Sequence, residues 1–151
     1  MKNLFALIAL LTTIPAMADD VGFNHGDAIL FHIASKHSGI QELNELNPGL
    51  SYRHGIDSPK LFATAGFFRN SNNRTSSYAG VGKTFFTVGP AAFTLVGGVA
   101  TGYIERVTPA LIPEFSFHYK NASFIVGYIP GVRYNGNATI PAFTFSVAAR
   151  F

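Results

Sequence analysis

The stretch 138–151 constrains the fold of this chain more than any other, because its residues alternate strictly between two kinds. The mostly apolar set is Pro141, Phe143, Phe145, Val147, Ala149 and Phe151, and the small or polar set is Ala142, Thr144, Ser146, Ala148 and Arg150. A period of two is the period of a β-strand with two unlike faces. A soluble sandwich buries its apolar face, whereas a transmembrane barrel turns that face to lipid. With its aromatic C-terminus, the stretch predicts the last strand of an outer-membrane barrel.

The N-terminus has the pattern of a secretory signal peptide covering residues 1–18. Lys2 supplies the positive charge, residues 4–14 are apolar, and Ala16-Met17-Ala18 is a small-x-small cleavage site. The apolar run is too short to be a membrane-spanning helix. The rest, 19–151, is expected to be a single barrel domain.

Composition narrows the class of protein further. Only 13% of the residues are charged, against about a quarter in an average soluble domain. The net charge is +3 and its basic residues are scattered, which argues against nucleic-acid binding. There is no cysteine, so disulfides and thiolate chemistry are excluded. Neither a cofactor nor a metal is expected.

Seven further alternating segments lie between clusters of Gly, Pro, Asn, Asp and Ser. With the last strand, the predicted strands are 27–35, 49–54, 61–70, 76–86, 93–103, 108–119, 123–129 and 138–151. On the first of them, Ala28, Leu30, His32 and Ala34 are predicted to point inward. Eight strands predict an all-β, antiparallel transmembrane barrel of the outer-membrane type.

Connections of such a barrel alternate between long loops outside the cell and tight turns in the periplasm. The segments assigned to the outside are 36–48, 71–74, 105–107 and 130–137. This topology places His32 and Ser71 near the outer rim.

Several motifs in the second half resemble one known family. They are Tyr128-Ile129-Pro130-Gly131, then Asn135-Gly136-Asn137, the series Phe93, Leu95, Gly98, Gly102 and Arg106, and the prolines Pro109 and Pro113. Together with the aromatic C-terminus, this pattern resembles the lipid A palmitoyltransferases, which are outer-membrane acyltransferases. Upstream, 62–71 and 79–82 resemble the family's third and fourth strands.

The resemblance implies an eight-stranded barrel that moves an acyl chain from a phospholipid to lipid A. It implies a catalytic group at the extracellular rim formed by His32 and Ser71, with Asn70 in the place of the family's aspartate. Gly82, with Gly80 beside it, matches the floor of the family's acyl-chain pocket. Pro109, Pro113, Tyr128 and Pro130 match its lateral opening to lipid.

Three features depart from the family. Asn70 can accept hydrogen bonds but cannot act as a charged base. Only residues 19–26 lie between the predicted cleavage site and the first strand, so the family's amphipathic N-terminal helix has no counterpart. The chain has no tryptophan, which the family uses freely.

The candidate residues also have simpler explanations. His32 is either a general base or a lumen histidine bonded to polar neighbours. Ser71 lies in Asn70-Ser71-Asn72-Asn73, a good turn sequence. Arg69, Arg74 and Arg133 suit the phosphates of lipid A or stabilise the lipopolysaccharide leaflet. The glycines either leave room for an acyl chain or ease the twist of a small barrel.

Two functions therefore remain open. The first is an outer-membrane lipid A acyltransferase with His32 as base and Ser71 orienting or polarising. The second is a non-enzymatic barrel that binds lipid or lipopolysaccharide and alters surface recognition. Either protein is expected to be a monomer in the bacterial outer membrane, with membrane lipids and the barrel-assembly machinery as its partners.

Overall fold

The computed structural model describes residues 27–39, 43–56, 60–103, 106–131 and 140–151, and the backbone of 133–134 and 137–138. The predicted signal peptide, the Asn135-Gly136 turn and the side chain of Arg133 lie outside the described part of the chain.

The described residues form a closed antiparallel barrel of eight strands. They are β1 (Ala28–His37), β2 (Leu46–Gly55), β3 (Leu61–Arg69), β4 (Thr75–Val88), β5 (Ala91–Ala100), β6 (Thr108–Tyr119), β7 (Ala122–Ile129) and β10 (Ala142–Arg150). Two short strands, β8 (Arg133–Tyr134) and β9 (Asn137–Ala138), pair only with each other. Every barrel strand pairs with its neighbour in sequence, and β1 closes the barrel against β10. The predicted eight-stranded all-β barrel is confirmed.

The connections differ at the two ends of the barrel. Residues 38–45, 70–74, 101–107 and 130–141 link strands at one end, called the rim end here. Residues 56–60, 89–90 and 120–121 link strands at the other, called the turn end. The predicted long loops therefore share one end. The backbone N–H of Phe151 donates to the carbonyl of Asp27 at the turn end (3.0 Å), which joins the first and last strands there.

Polar and apolar residues are distributed in the reverse of a soluble protein. The described residues include ten buried polar or charged residues and eight buried apolar ones, whereas twenty large apolar residues are exposed. The buried apolar cluster is small and consists of Ala28, Leu30, Ile125 and Ala148. The wall thus carries its large apolar side chains outward and encloses a largely polar lumen. The described residues contain no helix that is long and apolar enough to span a membrane.

The first strand differs from its prediction in its length and in which of its residues point into the barrel. It continues past Ser35 to His37, and its register shifts between His32 and Ala34. Such a bulge adds one residue and reverses the alternation beyond it. Ala34 pairs with the outward-facing Phe145, so its predicted inward position is wrong; Ser35 and His37 point inward instead.

Candidate functional site

Ser71 and His37 meet at the rim end. The Ser71 Oγ atom lies 2.7 Å from His37 Nε2. Ser71 belongs to the tight connection after β3, where Asn73 adopts a left-handed φ of 61°. Asparagine tolerates this conformation better than most residues do. A hydroxyl within hydrogen-bond distance of an imidazole is the arrangement of a nucleophile and its general base.

Asn70 stabilises this turn through hydrogen bonds from its side chain to the backbone of the turn. It is fully buried, and its Oδ1 accepts from the backbone N–H groups of Asn72 and Arg74, both at 3.0 Å. Its Nδ2 donates to Ser76 Oγ (3.0 Å) and to the Gly102 carbonyl (2.8 Å). A charged aspartate could not donate either of the last two bonds. The amide therefore has a structural reason to be here, and these four hydrogen bonds go to neither side chain of the Ser71–His37 pair.

His37 is the functional candidate that the sequence prediction missed. Its second ring nitrogen, Nδ1, is buried and has no hydrogen-bond partner among the described residues. Nearby, the Lys36 ammonium binds Glu45 at 2.8 Å and holds the pKa of that exposed carboxylate below its ordinary value. The sequence signal was the run Ser35-Lys36-His37, where polar residues end the apolar alternation although the strand continues.

His32 lies deeper in the lumen and does not meet Ser71. Its Nδ1 lies 2.9 Å from Ser146 Oγ, and its Nε2 lies 3.1 Å from Ser51 Oγ and 3.0 Å from the Tyr78 hydroxyl. Its ring packs edge-on against Phe68 and Tyr78. We call these residues the His32 cluster. The structure pairs Ser71 with His37 rather than with His32, since β1 continues five residues beyond His32, and the catalytic role expected of His32 stays a prediction.

Gly82 and Gly80 are both confined by neighbouring groups. A Cβ atom at Gly82 would lie 2.2 Å from Cζ of Phe62, a fully buried ring that covers this glycine. A Cβ atom at Gly80 would lie 2.6 Å from the Gly97 carbonyl oxygen and 3.1 Å from Gly98 Cα. Gly82 therefore accommodates a ring of the protein itself, and Gly80 accommodates close approach of the next strand.

Small inward residues leave the lumen more open toward the rim end. Gly80 pairs with Gly98, Gly98 with Ala110, and Ala100 with Thr108. All five are partly exposed although they face the barrel interior. In the adjoining loop, Tyr103 packs near Phe68, and its burial raises the pKa of the Tyr103 hydroxyl to about 12.

The β6–β7 seam is incomplete at the same end. β6 pairs with β5 from Phe117 to Thr108, but its pairing with β7 stops at Glu114. The next residue toward the rim, Pro113, has no N–H to donate to a ladder. Pro109 and Pro113 both lie on the outward face of one continuous strand, so they interrupt pairing with β7 rather than the strand itself.

The other predicted residues flank this region. Beyond the ladder, Tyr128 pairs with Phe143 of β10, and their rings lie 5.1 Å apart; Pro130 directly follows β7. Arg69 and Arg74 are both exposed at the rim end, on either side of the Ser71 turn.

A second polar group, absent from the sequence prediction, occupies the turn end of the lumen. Arg53 donates to both carboxylate oxygens of Glu114 at 2.8 and 2.9 Å, and its guanidinium lies 4.6 Å from the centre of the Phe62 ring. The two charged side chains are only 15% and 12% exposed. Close by, His118 contacts Ser123 Oγ (2.6 Å) and Ser116 Oγ (2.9 Å). Among the described residues, no group of three or more His, Asp or Glu is placed to hold a metal ion.

Comparison with known proteins identifies the fold. No protein-family model and no curated protein matches the chain. The fold is similar to the solution NMR structure of the de novo designed TMB2.3, with a TM-score of 0.62 and 14% sequence identity. The match covers 83% of this chain and 94% of that one. At this identity, the likeness concerns the fold alone.

Proposed function

We propose that the protein is an outer-membrane β-barrel. The outward-facing large apolar residues, the polar lumen and the likeness to a designed transmembrane barrel support this location. The signal-peptide pattern of residues 1–18 supports export. Fractionation of a Gram-negative host expressing the chain is expected to place it in the outer membrane, with heat-modifiable mobility on a gel. Recovery as a soluble periplasmic protein would contradict the proposal.

We further propose that the barrel transfers an acyl chain from a phospholipid to lipid A at the rim end. The observation that carries this proposal is the 2.7 Å contact between Ser71 Oγ and His37 Nε2. In this reaction His37 takes the place that the sequence assigned to His32. Asn70 shapes the turn that presents Ser71 and takes no part in proton transfer.

The proposed reaction uses Ser71 as the nucleophile and His37 as the general base. Ser71 Oγ attacks the ester carbonyl of the phospholipid while His37 Nε2 takes the serine proton. The tetrahedral intermediate collapses, the acyl chain stays on Ser71, and the departing lysophospholipid oxygen receives that proton from His37. A lipid A hydroxyl then attacks the acyl ester and gives its proton to His37, which returns it to Ser71.

Two neighbouring features suit lipid substrates. The β6–β7 seam would give a chain lateral access from the membrane, and the small inward residues around Gly98 and Ala110 would leave space for it. Arg69 and Arg74 flank the serine turn and would bind phosphates of lipid A, because guanidinium groups pair well with phosphate. Arg133, which the sequence places in the last rim loop, would bind phosphate in the same way.

Mass spectrometry of lipid A tests the reaction directly. The chain would be expressed in a Gram-negative host that lacks its own palmitoyltransferase, as wild type and as His37→Ala, Ser71→Ala and His32→Ala. We expect an additional acylated lipid A with the wild type, and its loss with His37→Ala and Ser71→Ala. His32→Ala is expected to retain activity per folded barrel, which separates the two histidines.

A non-enzymatic lipid-binding barrel is the second candidate. It is favoured by the Phe62 ring over Gly82 and by the His32 cluster, which fill parts of the lumen with side chains of the protein itself. Unchanged lipid A in the same experiment, with folded wild-type protein in the outer membrane, would support this function and overturn the acyltransferase proposal.

A further inference from the structure

The turn end of the lumen has an excess of positive charge. In the described barrel strands, the inward-facing charged residues are Arg53, Arg150 and Glu114. Glu114 is already bound by Arg53 through both of its oxygens. Among the described residues, no ion pair joins Arg150 to a carboxylate.

Strand register places the two arginines on either side of one small residue. Ala28 pairs with Arg53 of β2 and also with Arg150 of β10. Neighbouring strands lie about 4.8 Å apart, so the two arginine backbones are roughly 10 Å apart across Ala28. A methyl group between two long side chains leaves space into which both guanidinium groups can point.

Both guanidinium groups keep a buried donor that has no partner among the described residues. These donors are the Nε atoms of Arg53 and Arg150. Arg150 donates through its NH2 group to the Lys120 carbonyl at 2.6 Å, and this bond does not satisfy its Nε. Buried donors of a charged group are costly when no acceptor binds them.

A cavity is lined by both arginines. Its volume is about 40 Å³, and its polar lining comprises Arg53, Arg150, His118, Thr94, Ser116 and Ser123. One water needs about 10–15 Å³ on this measure, so the space admits more than a single water. The hydroxyl groups can rotate to donate hydrogen bonds.

We propose that this cavity is a binding site for one small inorganic anion of chloride to phosphate size. The anion would accept hydrogen bonds from Arg53 Nε and Arg150 Nε and offset the unpaired charge of Arg150. It would link β1, β2, β6 and β10 at the turn end and stabilise the barrel there. The site lies at the opposite end from the Ser71–His37 pair and does not depend on acyl transfer.

Bromide serves as the probe, because it resembles chloride and scatters anomalously. Crystals of the full mature barrel grown in sodium bromide are expected to show an anomalous peak within hydrogen-bond distance of both Nε atoms. In urea, the unfolding midpoint is expected to rise with bromide and then saturate. Sodium gluconate at equal ionic strength is expected to give no such rise, because gluconate is too large for the cavity.

Matched variants identify the groups responsible. Arg150→Gln is expected to weaken bromide binding at least about tenfold, because it removes a charge-assisted hydrogen bond. Lys83→Gln makes the same charge change on the outer surface of the barrel and is expected to leave binding unaltered. The proposal is overturned if wild-type crystals show no anomalous peak in the cavity, or if bromide and gluconate shift the midpoint equally. This wild-type result decides the question even where Arg150→Gln does not fold.

Discussion

The two ends of the lumen use polar residues in different ways. At the rim end, the Ser71 hydroxyl lies within hydrogen-bond distance of His37. The same end has the longer connections, the small inward residues and the incomplete β6–β7 seam. At the turn end, Arg53 and Glu114 form a buried ion pair, and the connections are short. We therefore expect the polar groups at the turn end to contribute to the stability of the barrel, whereas under the proposed function those at the rim end would meet a substrate.

Removing the buried carboxylate should have the largest effect on stability. Glu114→Ala leaves the Arg53 guanidinium unpaired in the lumen, and we expect the free energy of unfolding to fall by about 3 kcal/mol. Urea unfolding of the barrel in lipid vesicles measures this change. The matched control is Glu45→Ala at the rim end, which breaks an exposed pair with Lys36 and should cost far less, because exposed ion pairs contribute little to stability. Equal losses in the two variants would remove the contrast between the two ends.

Filling the space at Gly82 should come next. Gly82→Ala drives a methyl group into the buried Phe62 ring, and we expect a loss of about 1–3 kcal/mol in the free energy of unfolding. The second change Phe62→Leu should restore part of that loss. Gly97→Ala is the control, because its Cβ would meet only Leu111 Cδ1 at 3.7 Å, an ordinary contact. If Gly82→Ala left the free energy of unfolding unchanged, Phe62 would have to be able to move aside, and the lumen would be less filled than its geometry indicates.

The two histidines should separate stability from activity. His32→Ala leaves the hydroxyls of Ser51, Tyr78 and Ser146 without their shared partner, and we expect it to lower the free energy of unfolding by about 1–3 kcal/mol. His37→Ala removes one contact at the rim and should cost less than about 1 kcal/mol. Unfolding and lipid A acylation would be measured on both variants. A stable but inactive His32→Ala protein would return the catalytic role to His32.

Extending the β6–β7 ladder should have a smaller effect. Pro113→Val supplies the missing backbone N–H, so we expect slower hydrogen exchange at Tyr128 and Ile129 and slower acylation of lipid A. Leu111→Val, an outward-facing change on the same strand, serves as the control. Slower exchange with undiminished acylation would show that substrates do not enter through this seam.

The smallest expected effect is a pH dependence at the turn end. Hydrogen bonds from the Tyr52 hydroxyl and then His54 hold the pKa of Asp27 below its ordinary value of 3.8. A lowered carboxyl pKa contributes stability above the ordinary value, and that contribution is lost as the pH falls through the folded-state value. We expect Asp27→Asn to flatten the decline in unfolding midpoint below about pH 4. A parallel decline in wild type and variant would assign the acid sensitivity to other groups.

Much of the fold could be read from local pattern. The sixth strand, Thr108–Tyr119, has the bounds predicted from alternation, and the seventh differs by one residue. The predictions are poorer near the rim end, where β1 and β2 extend into the predicted polar loop 36–48. On β1 the added residues Lys36 and His37 are polar on both faces, and on β2 the added residues are Leu46, Asn47 and Pro48, so a period of two gives no signal that either strand continues.

The site was harder to predict for the same reason. Ser71 and Asn70 were predicted because a turn sequence ends the third strand, but Asn70 hydrogen-bonds within and around the turn rather than to the Ser71–His37 pair. His37 was missed because a bulge after His32 changes which residues face inward, and no local signal marks the bulge. Arg53 and Glu114 lie 61 residues apart in the chain, and only the closed barrel brings them together.

The sequence alone was sufficient to determine an eight-stranded antiparallel barrel with its long connections at one end, because alternation and turn residues are local properties of the chain. Only the tertiary structure decided which histidine meets Ser71, how Phe62 covers Gly82, and where the luminal charges pair. Those contacts depend on strand register across the closed sheet. A shift of one residue exchanges the inner and outer faces of a strand, so they follow from non-local pairing and packing rather than from local pattern.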